Sequence, residues 1–246
     1  MSYARVRAGA GAAVTDGGAP TAAPTVTVAY ERCGAGEPLV LLHGLGDDRR
    51  VWDGVVPLLP GRETIALDLP GFGDSPPLDP AVPWDLDTAV AWLGVLFAGL
   101  RVERPHVAGH SLGGLIALCL GRAGLARTVT ALAPAGFWTA AERRYAYAVL
   151  ALSRQGAGAR AALRAGRAPG PAGGGDVPGV PVTVAWGSRD PLLPPWQAKR
   201  AGAAIPGARL VALPRCGHVP MVDDPALVAR VLREATGSPP GGVPRG

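Results

Sequence analysis

The chain has few of the features that mark metal-binding, disulfide-rich or membrane proteins. Only Cys33, Cys119 and Cys216 are cysteines among its 246 residues, and an odd number without metal-ligand spacing predicts neither a disulfide framework nor a metal site. No uninterrupted apolar run approaches the roughly 20 residues of a membrane-spanning helix. The N-terminal segment contains arginines but no apolar central region, so it does not match a signal peptide. We therefore expect no metal, no membrane span and a cytoplasmic location.

Charged and aromatic residues are also scarce. Asp, Glu, Lys and Arg make up 17% of the chain and aromatic residues 5%. The formal net charge of +5 comes from scattered arginines, without a basic run or interleaved aromatic residues, which excludes nucleic acid as an expected partner. Hydrophobic residues, in contrast, make up 48%. This composition and length predict one domain with a large core, and they leave the oligomeric state open.

Short apolar runs alternate with helical patterns along the chain. Continuous apolarity predicts strands that are buried on both faces, as in a parallel sheet. The helical patterns cover 85–100, 112–124, 196–204 and 225–235, so strand and helix alternate as in a doubly wound α/β fold. Upstream, TVTVAYERCGAG alternates and predicts an edge strand of an N-terminal antiparallel hairpin. The apolar runs begin at Pro38, Glu63, Arg104, Thr128, Pro181 and Ala208.

One interval, 137–180, breaks this alternation. It starts with an aromatic helical stretch and continues into GAGARAALRAGRAPGPAGGGDVPG, which is typical of a mobile linker. We interpret 137–180 as a short, partly flexible lid inserted between two parts of one core, 1–136 and 181–236. The tail 237–246 is rich in Gly and Pro and is expected to be disordered.

Ser111 is the candidate nucleophile. It is the centre of Gly109-His110-Ser111-Leu112-Gly113, a G-x-S-x-G pattern that directly follows a predicted strand and directly precedes a predicted helix, as in a nucleophile elbow. Glycines at both ends allow the strand and the helix to approach closely around a strained serine. The alternative is an ordinary serine N-cap of the helix.

A serine nucleophile needs a base and an acid, and His218 and Asp190 are the candidates. Of the four histidines, only His218 follows a late strand in a loop at the carboxyl edge; the other three, His43, His106 and His110, suit structural roles better. Asp190 lies in the loop after the preceding strand, and the order serine, aspartate, histidine is the one expected for this elbow. Asp176 is the alternative acid.

With these motifs in order, the sequence resembles the α/β-hydrolase superfamily, in its serine-nucleophile branch of esterases and ring-cleavage-product hydrolases. The resemblance covers 28–235. It implies an α/β fold with a doubly wound, mostly parallel sheet, and a triad of Ser111, Asp190 and His218. It also implies that H-G-L-G at 43–46 is the oxyanion loop, with the backbone N–H of Leu45 acting beside that of Leu112. The serine nucleophile argues against the haloalkane dehalogenase and epoxide hydrolase branches.

The function expected from this resemblance is hydrolysis of a small or medium-sized, largely apolar carboxylic ester, without a cofactor. Phe137, Trp138 and Tyr145 are candidate pocket residues in the lid, although aromatic residues at helical spacing are also typical of packing. The lid is shorter than such family members commonly have, so the substrate is less defined than the catalytic set. Two alternatives remain: hydrolysis of a carbon–carbon bond beside a ketone, and a non-catalytic protein that binds a small molecule on the same fold.

Overall fold

An eight-stranded sheet organises the chain. The computed structural model describes residues 2–7, 25–79, 84–152 and 177–237; the glycine-rich part of the predicted lid, the alternative acid Asp176 and the tail from 238 lie outside these residues. The strands are β1 Ser2–Arg7, β2 Thr25–Gly34, β3 Glu37–Leu42, β4 Arg62–Leu67, β5 His106–His110, β6 Thr128–Leu132, β7 Val182–Gly187 and β8 Arg209–Leu213.

The sheet is mostly parallel, as the sequence predicts. Its strand order is β1-β2-β4-β3-β5-β6-β7-β8. The pairs β1–β2 and β2–β4 are antiparallel, and the remaining pairs are parallel. The N-terminal antiparallel pair is therefore confirmed, but β2 is not the edge strand that its alternating pattern suggested. β1 was not predicted, and it covers the free side of β2.

Each predicted helical pattern forms a helix, and one further short helix, Pro220–Asp223, was not predicted. They are α1 Leu86–Gly99, α2 Leu112–Arg122, α3 Ala140–Leu152, α4 Gln197–Ala204, α5 Pro220–Asp223 and α6 Pro225–Ala235. Asp85 caps α1 by accepting from Thr88 N at 2.8 Å, and Asp224 caps α6 by accepting from Leu227 N at 2.9 Å. These side chains satisfy N–H groups that a helix start leaves unpaired.

The parallel strands are buried on both faces. In β3, Val40 and Leu42 belong to one apolar cluster, whereas Leu39 and Leu41 belong to the other. Successive side chains of a strand point to opposite faces of the sheet, so the continuous apolar runs supply both clusters. Trp52 is fully buried in the second cluster.

The amino ends of the strands carry an ion-pair cluster centred on Glu37. Its carboxylate accepts from Arg62 Nη1 at 2.6 Å and pairs with Arg127, and it lies 3.3 Å from His106 Nε2. The hydrogen bond from Arg62 is the main reason that the pKa of Glu37 falls from 4.5 to about 2. Glu37 therefore stabilises the fold as an anion.

Replacing Glu37 should give a pH-dependent loss of stability. Because the folded pKa lies below the unfolded one, the stabilisation by Glu37 is complete above about pH 4.5 and disappears as the pH falls towards about 2. The difference in unfolding free energy between wild type and Glu37→Gln, measured in urea, should therefore shrink below about pH 4.5. Glu103→Gln, at an exposed glutamate, is the control. A Glu37→Gln difference that does not change with pH would contradict this account.

Candidate active site

Ser111 lies in a strained turn between β5 and α2. Its φ of 51° and ψ of −110° are rare for a residue with a side chain. Three backbone hydrogen bonds hold this conformation: Ser111 N donates to Leu132 O at 2.9 Å, and Ser111 O accepts from Leu115 N and Ala135 N at 3.1 and 3.0 Å. The side chain makes no capping hydrogen bond to α2, so Ser111 does not act as an ordinary N-cap.

The glycines of the elbow allow backbone to touch backbone. A Cβ atom on Gly109 would lie 2.1 Å from Gly113 O, and a Cβ atom on Gly113 would lie 2.5 Å from both Leu42 O and His43 O. Real Cβ atoms do not approach so closely. Any other residue at these two positions would push α2 away from the end of β5 and from the loop after β3.

The candidate acid and base are hydrogen-bonded to each other. His218 Nδ1 lies 2.8 Å from Asp190 Oδ2; since a carboxylate accepts, Nδ1 donates, which leaves the Nε2 lone pair free. The other Asp190 oxygen accepts from Leu192 N at 2.9 Å and from Leu193 N at 2.8 Å. The Asp190 side chain is fully buried, and that of His218 is 14% exposed. Three hydrogen bonds therefore hold the Asp190 carboxylate in place.

The loop of His218 reaches the nucleophile elbow. His110 Nε2, in the residue before Ser111, lies 2.7 Å from His218 O, and the two imidazole centroids are 4.7 Å apart. Among the described residues, Ser111 Oγ and His218 form no hydrogen bond. Such contacts are often long until substrate binds. Cys216, near His218 in sequence, is buried, as expected of a small packing residue.

The loop after β3 lies against the elbow, and hydrogen bonds of His43 orient its peptide groups. Leu69 N donates to His43 Nε2 at 2.8 Å, so His43 Nδ1 carries the proton and donates to Gly44 O at 2.7 Å. In a trans peptide the N–H points away from the C=O, so Leu45 N–H points away from His43. Within the described residues, no backbone acceptor takes Leu45 N–H or Leu112 N–H. These two N–H groups are therefore the candidate oxyanion donors, as the sequence suggested.

The remaining polar residues near the site hold loops in place. Asp68 is fully buried and accepts from Arg49 N at 2.7 Å and Asp74 N at 2.8 Å, so it connects two loops. His106, in contrast, lies at the amino end of β5, away from the candidate site, with a ring nitrogen 2.8 Å from Thr128 Oγ1. Sequence reasoning missed Asp47, whose pKa is raised, mainly by burial, although a hydrogen bond from Asp48 N partly opposes the shift. No motif marks that carboxylate.

The predicted lid helix α3 is attached to the core through Glu142. Its carboxylate accepts from Arg200 Nη1 and Nη2 at 2.7 Å each and from Trp196 Nε1 at 2.8 Å, and the Arg200 pairing is the main cause of its lowered pKa. Of the candidate pocket residues, Phe137 is buried and Trp138 stacks edge-on with Tyr147 at 6.0 Å. Tyr145 is 52% exposed, so it stands apart from this buried aromatic group.

A family model described as the alpha/beta hydrolase family matches residues 39–231, a range that runs from β3 into α6 and contains every residue of the candidate site. The chain belongs to the alpha/beta hydrolase family. None of the helices in the described ranges is long and apolar enough to cross a bilayer. The same ranges contain no group of three His, Cys, Asp or Glu side chains that could hold a metal.

Curated relatives match the chain in part. A pimeloyl-[acyl-carrier protein] methyl ester esterase of Aeromonas hydrophila is 43% identical over 93 residues, which are 37% of this chain and 35% of that protein. The dihydrolipoyllysine-residue acetyltransferase component of an acetoin cleaving system of Pseudomonas putida is 30% identical over 226 residues, which cover 75% of this chain and 59% of that protein. The alignments thus span about a third to three fifths of these relatives.

Solved structures share the fold over most of the chain. The enol-lactonase of Burkholderia xenovorans superposes with a TM-score of 0.70 at 20% identity and covers 86% of this chain and 97% of its own. A meta-cleavage product hydrolase of Pseudomonas fluorescens gives 0.67 at 20% identity, with 86% and 94% covered. At this identity the likeness concerns the fold alone.

Gly113→Ala should destabilise the protein. The added Cβ would meet two backbone carbonyl oxygens that cannot move without shifting β3, so we expect a loss of about 1–3 kcal/mol of unfolding free energy. Gly99→Ala is the matched control, because nothing lies within 4 Å of a Cβ there and alanine should raise stability by up to about 1 kcal/mol. Urea unfolding measures both; equal effects would mean that close backbone packing at Gly113 does not constrain the elbow.

Proposed function

We propose that this protein is a serine hydrolase that cleaves a small or medium-sized, largely apolar carboxylic ester through an acyl-enzyme. The observation that carries the proposal is the positive φ of Ser111 at the start of α2. A serine held there at a cost of about 1–3 kcal/mol, without capping the helix, is oriented for another purpose. The fixed Asp190–His218 pair, whose loop contacts the residue before Ser111, supplies the base.

The chemistry follows from these positions. Ser111 Oγ attacks the acyl carbon while His218 Nε2 accepts its proton, and the imidazolium then gives that proton to the leaving alcohol. Water later attacks the acyl-enzyme by the same route and releases the acid. Asp190 holds the His218 tautomer that keeps Nε2 free and stabilises the imidazolium.

Leu45 N–H and Leu112 N–H are the proposed donors to the oxyanion. They belong to two backbone segments that contact each other through Gly113, and Leu112 also begins α2, whose dipole favours negative charge at that end. A single donor of this kind is worth on the order of 10²–10³ in turnover. The donors are part of the backbone, so they need no reorganisation during the reaction.

Ester cleavage is the preferred reaction because a relative that shares 43% identity over part of the chain is named a methyl ester esterase. The site uses only protein groups in this proposal and needs no cofactor. Phe137 and Trp138 are the proposed apolar wall of the substrate pocket, since both are largely buried at the base of the predicted lid. The substrate is a small molecule.

A fluorophosphonate probe should label Ser111 in the folded protein. A compact electrophile needs the nucleophile and the base more than a complete pocket, so labelling should occur whatever the lid contributes. Peptide mapping by mass spectrometry identifies the site, and Ser111→Ala should remain unlabelled. Absence of label on folded wild type, where a known serine esterase reacts, would favour the binding-protein alternative.

A comparison of substrates tests the other alternative. Turnover of a vinylogous diketone acid above that of aryl esters would favour carbon–carbon cleavage.

Asp190→Asn should lower ester turnover by about 10⁴-fold, because an amide can donate to Nδ1 and so favour the wrong imidazole tautomer. Folding should persist, since the amide oxygen can still accept from Leu192 N and Leu193 N. The control is Asp223→Asn, at a carboxylate that accepts from Gly217 N in the same loop, for which we expect a far smaller effect. If Asp176→Asn gave the large loss and Asp190→Asn did not, the acid would be misassigned.

A further inference from the structure

His110 occupies the variable position of the elbow, and it bonds to the loop of the candidate base. It is the last residue of β5 and only 2% exposed. Its Nε2 lies 2.7 Å from the main-chain oxygen of His218, 108 positions away in the chain. A carbonyl oxygen can only accept, so Nε2 carries the proton and Nδ1 is bare. The contact fixes a tautomer as well as a distance.

The imidazole of His110 also fills the space between the oxyanion loop and the base. Its centroid is 4.7 Å from that of His218, with the planes inclined at 55°. A Cβ atom on Gly44 would lie 2.8 Å from His110 Nδ1, so the ring touches the oxyanion loop on its other side. Nδ1 is buried without a hydrogen-bond partner among the described residues. Burial, reinforced by the neighbouring His218, keeps the pKa of His110 well below its usual value, and the ring is neutral.

We propose that His110 is a positioning residue that aims His218 at Ser111 by holding the His218 main chain. The inference rests on the proposed function. Asp190 holds the His218 ring at Nδ1, but this bond does not fix the main chain from which the ring extends. The hydrogen bond from His110 adds a second fixed point on the same residue. Because His110 and Ser111 are adjacent, this bond ties the base to the nucleophile through one peptide group.

Two substitutions separate the hydrogen bond from simple packing. In His110→Gln, the side-chain amide nitrogen can reach the position of Nε2 and donate to His218 O, whereas His110→Leu keeps apolar volume but has no donor. A role in packing alone predicts that the two variants behave alike, or that leucine is better. A positioning role predicts that the leucine variant loses kcat and that the glutamine variant retains most of it.

The measurement is kcat and KM on a short-chain aryl ester, normalised to correctly folded protein. His110→Leu should lower kcat by about 10- to 100-fold, since a misplacement of about 1 Å can cost 10²-fold, with KM changed by less than about twofold. His110→Gln should recover kcat to within about fivefold of wild type. Equal kcat in the leucine variant and wild type, or equal losses in both variants, would overturn the proposal. If the leucine variant does not fold, His110→Asn, whose amide is too short to reach His218 O, replaces it.

A second readout does not depend on turnover. Ring ¹⁵N resonances of labelled histidine in the intact protein report which nitrogen carries the proton, and His110 should show a protonated Nε2 and a bare Nδ1 from neutral pH to mildly acidic pH. The opposite tautomer would overturn the inference while leaving the proposed function standing. Wild type that neither takes the fluorophosphonate nor hydrolyses esters would instead overturn the proposed function, and the positioning role with it.

Discussion

The close backbone packing around Ser111 is the constraint on which the rest of the site depends. Gly109 and Gly113 bring the end of β5, the start of α2 and the loop after β3 into contact, and that contact forces Ser111 to a φ of 51°. Such a conformation persists only where the surroundings determine it. Here the surroundings are a buried parallel sheet, so the stability of the core maintains the strain at the serine.

The amino ends and the carboxyl ends of the strands carry different groups of polar residues. Glu37, Arg62 and Arg127 meet at the amino ends of the strands, where ion pairs tie strand starts to one another. Ser111, Asp190 and His218 follow the carboxyl ends, where the loops of an open α/β sheet form its crevice. The ion pairs and the candidate site therefore lie at opposite ends of the strands.

Local patterns predicted the strands and helices of the core because apolar periodicity and capping residues act over a few positions. The hydrogen bond between Asp190 and His218 could also be predicted from the sequence, because both residues follow neighbouring strands of a predictable sheet. The contact of His110 with His218 O was not, because no short pattern encodes the path of a loop 108 residues away. For the same reason the pattern of β2 suggested an edge strand: its alternation does not reveal that β1 pairs beside it.

The residues that hold the predicted lid helix α3 lie close in sequence to Asp190, the proposed acid. Glu142 of α3 accepts hydrogen bonds from Trp196 and Arg200. Trp196 directly precedes α4, and Arg200 lies within it. The segment that leads into α4 starts at Asp190, whose carboxylate is held by the N–H groups of Leu192 and Leu193, and Leu193 O in turn accepts from Trp186 Nε1 of β7. One short segment thus carries both Asp190, the proposed acid, and the residues that hold α3.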